Sequence, residues 1–253
     1  MNLSLRFLGT GDAWASAELG NSSAVLERDG APWLMIDCGP EALNRYLSIY
    51  RAPPAALYIT HTHLDHVGGF ERLFTTLQFN ADWRGRTRVF LHANVLALLH
   101  GRVADYPNAL AEGGVNFWEA FRLVPCTRGF WLDGCWFDLF QTRHHRPTSS
   151  YGLLLRGALA FTGDTRPIPE VLQALAVNDE LVAHDCALHG NPSHSGIEDL
   201  EREYPPELRQ RLLLYHYGSR ADGAALAARG YRVAEPDQSI ALAAPLPVDG
   251  SAG

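Results

Sequence analysis

Residues 60–69 read THTHLDHVGG, which places His61, His63, Asp65 and His66 within six positions, directly after the apolar run AALYI. In extended backbone, residues two apart point to the same side, so His61 and His63 can grip one ion. Asp65 and His66 follow as the chain turns, and can face a second ion beside the first. Imidazole suits zinc, iron and manganese, and a carboxylate adds a harder ligand. A lone histidine on an apolar element is most often a satisfied core residue; four ligand-type residues in one turn call for metal. Gly68 and Gly69 then let the backbone turn closely beneath the cluster before the next helix.

The same residue types recur where other apolar runs end. Asp37 closes LMID, His144 and His145 close WFDLFQTRHH, Asp164 closes FTGD and His216 follows LLLY. Each run has the length and apolar content of a buried strand. Buried strands place their ends along one rim of a sheet, so polar residues at successive ends converge on one cleft. Unrelated loop punctuation would supply Gly, Asn and Ser there more often than His.

The elements needed to hold that cleft are legible along the chain. Strands are predicted near residues 3–8, 22–28 and 32–37, over AALYITH, WFDLFQTRHH, ELVAHDC and RLLLYHYGS, with a hairpin over YGLLLRGALAFTGD. PEALNRYLSIY has helical spacing, with Ala42, Leu43, Tyr46, Leu47 and Tyr50 on one face; GGFERLFTTLQF and IPEVLQALA are further helices. Alternating strands and helices without a boundary predict one α/β domain over residues 1–253 with helices covering sheet faces. Roughly the last ten residues read as a flexible tail.

Composition narrows the partners. The 253 residues are 47% hydrophobic and 19% charged, enough for a sizeable core. Net charge is −7 and all 21 basic residues are arginine. A long nucleic acid needs a basic face, and only Arg84, Arg86 and Arg88 cluster; a small anion needs one or two arginines. No signal-peptide pattern or membrane-spanning run is present in the sequence. The four cysteines lack zinc-finger spacing and read as reduced thiols of a cytoplasmic protein. His92, His100 and His189 read as structural.

The motif His61-Thr-His63-Leu-Asp65-His66, with a buried strand before it and a helix after it, resembles the HxHxDH hallmark of the metallo-β-lactamase superfamily. That resemblance implies an αββα sandwich: two central mixed β-sheets flanked by helices, with metals at the sheet edge. RFLGTGDAW…GNSSAVLE, LMIDCGPEALNRYL, FTGDT and LLLYHYGSR are similar to segments of its tRNase Z-like phosphodiesterase branch. The likeness implies two divalent ions, zinc first and manganese next. His61, His63 and the third-motif histidine would hold one; Asp65, His66 and His216 the other; Asp164 would bridge them. For the third motif, the spacing to Tyr151–Gly152 favours His145, leaving His144 to point away or to hydrogen-bond behind it. Asp37 would orient the histidine cluster, and Ser219 and Arg220 would meet the phosphate. AHDCALHGNPSHSGIEDL is similar to a segment carrying an acidic residue and a proton-donating histidine, here Asp185 and His194; Asp65 completes the catalytic set.

Two departures steer the expected reaction. Long tRNase Z enzymes carry a basic, glycine-rich arm that clamps tRNA, and residues 70–140 lack it. The compact form is closer to small phosphodiesterases acting on cyclic phosphates. The resemblance therefore implies a metal-dependent phosphodiesterase for a small cyclic phosphate diester, with a cyclic mononucleotide as in the anti-Pycsar type, working as a homodimer. The alternatives are a tRNase Z-like RNA endonuclease and a thioester or lactone hydrolase of the same fold.

Overall fold

A computed structural model describes residues 1–104 and 116–248. Fourteen strands are present among them: β1 (Leu3–Gly9), β2 (Ser23–Arg28), β3 (Ala31–Ile36), β4 (Ala56–Ile59), β5 (Thr87–His92), β6 (Phe121–Cys126), β7 (Gly129–Leu132), β8 (Cys135–Gln141), β9 (Tyr151–Leu155), β10 (Leu159–Phe161), β11 (Leu181–Asp185), β12 (Leu212–Tyr215), β13 (Arg232–Val233) and β14 (Ser239–Leu242). They form two seven-stranded sheets, ordered β14-β1-β2-β3-β4-β5-β6 and β13-β12-β11-β10-β9-β8-β7. Each sheet is mixed. The first is antiparallel from β14 to β3 and parallel from β3 to β6. The second is antiparallel from β7 to β10 and parallel from β10 to β13.

The sheets stack because each has two apolar faces. One core cluster lies between them and joins Leu5, Phe7, Leu26 and Tyr58 of the first sheet to Phe137, Leu153, Phe161 and Tyr215 of the second. β4 and β12 are buried along their whole length, as strands covered on both faces must be. Outside the first sheet, the helices Pro40–Tyr50 and Phe70–Gln78 bury Leu43 and Tyr46, and Phe70, Leu73, Phe74 and Leu77. Outside the second sheet, Pro169–Leu175, Ile197–Glu203 and Arg220–Ala228 cover Leu154, Val182 and Leu214. The layering is helix, sheet, sheet, helix, as the sequence implied.

Several details differ from the sequence reading. The strand predicted through His145 ends at Gln141. The N–H of Thr142 closes the pair to Ser150 O at 3.1 Å and the chain then leaves the sheet. β5, β6, β7, β13 and β14 are additional strands. Tyr50 belongs to the buried side of its helix through its hydroxyl, which donates to Glu27 Oε1 at 2.7 Å. The chain end is fastened as far as Leu246, whose N–H donates to Arg156 O at 2.8 Å; the rest of the expected tail, residues 249–253, lies outside the described residues.

The strand ends do converge. β3, β4, β10, β11 and β12 deliver Asp37, His61, Asp164, Asp185 and His216 to one rim, and the segment after β8 adds His144. Two of these residues take left-handed backbone without being glycine: Asp37 at φ 61° and His216 at φ 68°. Such conformations concentrate at functional sites, where the surroundings over-determine them.

Candidate metal centre

Asp37 organises the motif loop from behind. Its Oδ1 accepts the N–H of Thr60 at 2.9 Å and its Oδ2 accepts the Thr60 hydroxyl at 2.7 Å. The same Oδ2 meets His66 Nδ1 at 2.8 Å. With its one proton given to Asp37, the Thr60 hydroxyl can only accept from His61 Nδ1, 3.0 Å away. His61 therefore carries its proton on Nδ1 and turns a bare Nε2 inward, and the bond to Asp37 turns the Nε2 of His66 inward as well, the orientation in which imidazole can serve as a ligand.

Glycine lets the loops come this close. A Cβ on Gly39 would stand 2.0 Å from the carbonyl oxygen of Asp65, and one on Gly69 would stand 2.8 Å from that of Cys38. Gly68 and Gly69 have ordinary helical φ values, −64° and −77°. Close approach, and not a special backbone angle, is the reason for the pair.

The inward atoms gather around Asp164, which is 1% exposed. His66 Nε2 is 3.3 Å from its Oδ2, His216 Nε2 3.4 Å, His61 Nε2 3.5 Å and His144 Nε2 3.8 Å. Asp65 Oδ2 lies 3.4 Å from His66 Nε2 and 3.8 Å from His216 Nε2. Four donor sets result among the described residues, with atoms mutually within 4.8 Å: His61, His63, His144 and Asp164; Asp164, Asp185, His194 and His216; Asp65, His66 and His216; and Asp37, His61 and His66.

The donor atoms fit divalent metal. His61 Nε2, His66 Nε2, His216 Nε2 and both Asp164 oxygens are buried without a hydrogen-bond partner. Buried polar atoms are rarely left so, and three imidazole nitrogens within 3.5 Å of one carboxylate oxygen could hold a cation. The proton affinities agree. Burial opposes its charge, yet His216, His66 and His61 hold Asp164 well below the usual carboxylate range. Burial also works against protonated His66 and His216, but Asp164 with Asp37 lifts the first well above its ordinary value, and Asp164 with Asp185 lifts the second. Protons are drawn to where a cation would balance the carboxylates. Burial lowers His61 well below its ordinary value, and burial with His144 lowers His63 to about 4, so both stay neutral.

Of the third-motif pair, the structure places His144 in the cluster and leaves His145, the residue that the spacing favoured, outside it. The Nδ1–H of His144 donates to Ser193 O at 2.9 Å, so its Nε2 faces His63 Nδ1 at 3.1 Å. His145 sits at φ 52°, which swings its exposed ring out to the cavity wall, 4.5 Å from the His63 ring centroid. Ser219 and Arg220 are placed away from the cluster. Ser219 caps the helix Arg220–Ala228, its Oγ accepting the Asp222 N–H at 3.1 Å, and Arg220 points to Glu18 at 3.3 Å with 65% of its side chain exposed. Neither lines the cavity over the cluster.

Asp185 and His194 do come together beside Asp164. Asp185 is fully buried; its Oδ2 accepts the Thr165 N–H at 2.9 Å and meets His194 Nδ1 at 2.9 Å. Burial lowers the proton affinity of His194, but the bond to Asp185 outweighs it and raises the group above its ordinary value. His194 is therefore easier to protonate than a free imidazole, and its second ring nitrogen is not taken up by Asp185. A cavity of about 380 Å³ opens here, lined by His63, Asp65, Asp164, His194 and His216 together with Trp14, Leu64, Arg102 and Asn191. The last four were missed. Trp14 lies just past the end of β1, where the strand-end argument could have found it. Arg102 sits in a π-helical turn, His100–Ala104, that no spacing announces. His92 and His100 have structural partners, Asn94 N–H at 3.2 Å and Trp118 Nε1 at 2.9 Å.

A family model described as the anti-Pycsar protein Apyc1 matches residues 3–240. The chain belongs to this family. Among Apyc1 relatives, that of Paenibacillus harenae is 29% identical over 246 residues, covering 92% of this chain and 98% of its own length. That of Bacillus phage BSP38 is 26% identical over 251 residues, covering 86% and 90%. Among solved structures, a diphosphatase of the PhnP family aligns with TM-score 0.74 at 18% identity, over 96% of this chain and 99% of that one. Human short-form tRNase Z aligns at 0.66 and 18%, over 96% and 100%. YhfI of Bacillus subtilis, a metallo-β-lactamase fold protein, aligns at 0.72 and 13%, over 95% and 100%. At these identities the structures establish the fold. Membership in the Apyc1 family carries the reaction class that the sequence implied, hydrolysis of a small cyclic phosphate diester by a phosphodiesterase.

Proposed function

We propose that the protein opens the phosphate ring of a cyclic mononucleotide, with divalent ions held at the rim where the two sheets meet. The observation that carries this reading is the set of partnerless buried donors around Asp164 with the Asp185–His194 pair beside it. His61, His63 and His144 would hold one ion, and Asp65, His66 and His216 a second. Asp164 would be shared, and Asp37 would fix His66. When bound, such ions supply Lewis acidity and a nucleophile at neutral pH. Zinc suits the imidazole-rich set, with manganese as the alternative.

The chain's own part is placement and proton delivery. Asp185 keeps His194 oriented and protonated, and His194 gives that proton to the alkoxide that leaves when the ring opens. Arg102 replaces Arg220 as the arginine near the phosphate, since it lines the cavity and makes no ion pair among the described residues. Residues 1–253 act as one domain in this reading, supported by a core that draws on both sheets. The four free cysteines suit a reducing cytoplasm, and no described helix is long and apolar enough to cross a membrane. A homodimer is the assembly we propose, to be checked by sedimentation velocity.

Metal-replete protein should hydrolyse cyclic mononucleotides and leave a tRNA precursor and a lactone untouched. His194→Ala should keep its metal and lose on the order of 10²–10⁴ in turnover on a cyclic nucleotide. The loss should shrink on bis(p-nitrophenyl) phosphate, whose nitrophenolate leaves without a proton. Equal losses on both substrates would sink the proton-donor assignment.

A further inference from the structure

Trp14 is 93% exposed, yet it is held firmly. Asp12 Oδ1 accepts the N–H of Trp14 and of Ala15, each at 2.9 Å, which locks the turn that presents the indole. Leu64, between two ligand-type residues of the motif, is 56% exposed. Both line the cavity that contains Asp65, Asp164, His194 and His216. Around His63 and Arg102 this cavity meets a second recess, lined further by Leu98, His145, Arg146, Ser149 and Pro192. Trp14 and Leu64, with Ala13 and Ala187, form an apolar arm of the first cavity beside the cluster, and Arg146 stands in the second recess.

An indole at the mouth of a cleft offers a broad, flat apolar face with which another ring can stack. A cyclic mononucleotide has two unlike ends, a flat π-face and an anionic phosphate. With the phosphate at the cluster, the apolar arm beside it offers an exposed aromatic ring face to the base. We infer that Trp14 is the platform on which the base of the substrate stacks, with Leu64 against its edge. Every base has a π-face, and Asn191 is the one uncharged side-chain amide in the arm's lining. Stacking of this kind tolerates purines and pyrimidines alike. Trp14 is then a specificity residue for nucleotides as a class, selecting them over cyclic phosphates of bare sugars. The inference rests on the phosphodiesterase reading above.

The test compares a 3′,5′-cyclic nucleotide with a base-less counterpart, methyl ribofuranoside 3′,5′-cyclic phosphate. Trp14→Ala should reduce the preference for the nucleotide, measured as the ratio of kcat/KM values, on the order of tenfold and chiefly through KM. Trp14→Phe should restore most of it. An unchanged ratio would overturn the inference, and so would a hundredfold preference of the wild type for one base, which requires hydrogen-bond readout. Conversion of a dimer to monomers by Trp14→Ala, with both substrates slowed alike, would assign the indole to a second copy of the chain instead. Fluorescence supplies a readout independent of turnover: a nucleoside 5′-monophosphate should quench the wild type more than Trp14→Phe, and ribose 5-phosphate should quench neither differently. If neither cyclic substrate is hydrolysed, the phosphodiesterase reading fails while the quenching still decides the base contact.

Discussion

His144 and His145 are chemically identical neighbours, and only their backbone angles and partners separate them. His144 is fixed by a carbonyl that takes its Nδ1 proton; His145 sits in left-handed backbone and turns outward. His144→Ala should therefore lower metal content and cut turnover by about 100-fold or more, while His145→Ala keeps its metal. Elemental analysis of the two variants decides between them, and the opposite pattern would restore His145. The sequence could show that a third histidine was needed and that two were on offer. It could not show φ: the spacing to Tyr151–Gly152 favoured His145, and the left-handed backbone that turns that residue outward is not written in the spacing. Ser219 is a different kind of miss. Ser219-Arg-Ala-Asp222 has the pattern of a capping box, which already assigned that hydroxyl to the helix. Proximity to His216 in sequence was the weaker signal, and the helix start turned Arg220 towards Glu18.

At the scale of elements, the rim of strand ends was legible because each buried strand announces itself as an apolar run, and a histidine or aspartate at its end breaks the run abruptly. β5 and β6 were less so: TRVFLH and FRLVPC carry arginine or proline within short runs. Pro125 is accommodated since β6 is the edge of its sheet. What no run of letters displays is how closely two loops approach. Gly39, after β3, faces the Asp65 carbonyl across a gap that admits no side chain. Gly39→Ala should push the loop carrying Asp65 and His66 away from Asp37. We expect a loss of about 1–3 kcal/mol in stability, as for overpacking elsewhere, together with reduced metal content. Thermal unfolding and metal analysis on the same preparation test it; an unchanged melting temperature with full metal would show that the loops can part without cost.

For the whole molecule, the consequence of the architecture is that the proposed metal centre joins the two halves of the sandwich. His61, His63, Asp65 and His66 follow β4 of the first sheet, whereas His144, Asp164 and His216 follow β8, β10 and β12 of the second. Between the sheets the core is apolar and supports itself. At the rim it gives way to buried carboxylates and imidazoles whose inward atoms have no partner. Ions there bind the folded chain and not the unfolded one, because the donors are assembled only when both sheets are in place. At a thousandfold excess over the dissociation constant, such binding adds about 4 kcal/mol to stability. For a chain of this size that corresponds to a shift of roughly 10 °C in Tm. Chelation should accordingly lower the Tm by about that much, and about two equivalents of zinc per chain should restore it. His63→Ala should show a smaller shift on chelation, since one donor set is already broken. A Tm that ignores chelator, in protein shown by elemental analysis to have lost its metal, would mean that the rim is held by its protonated histidines alone.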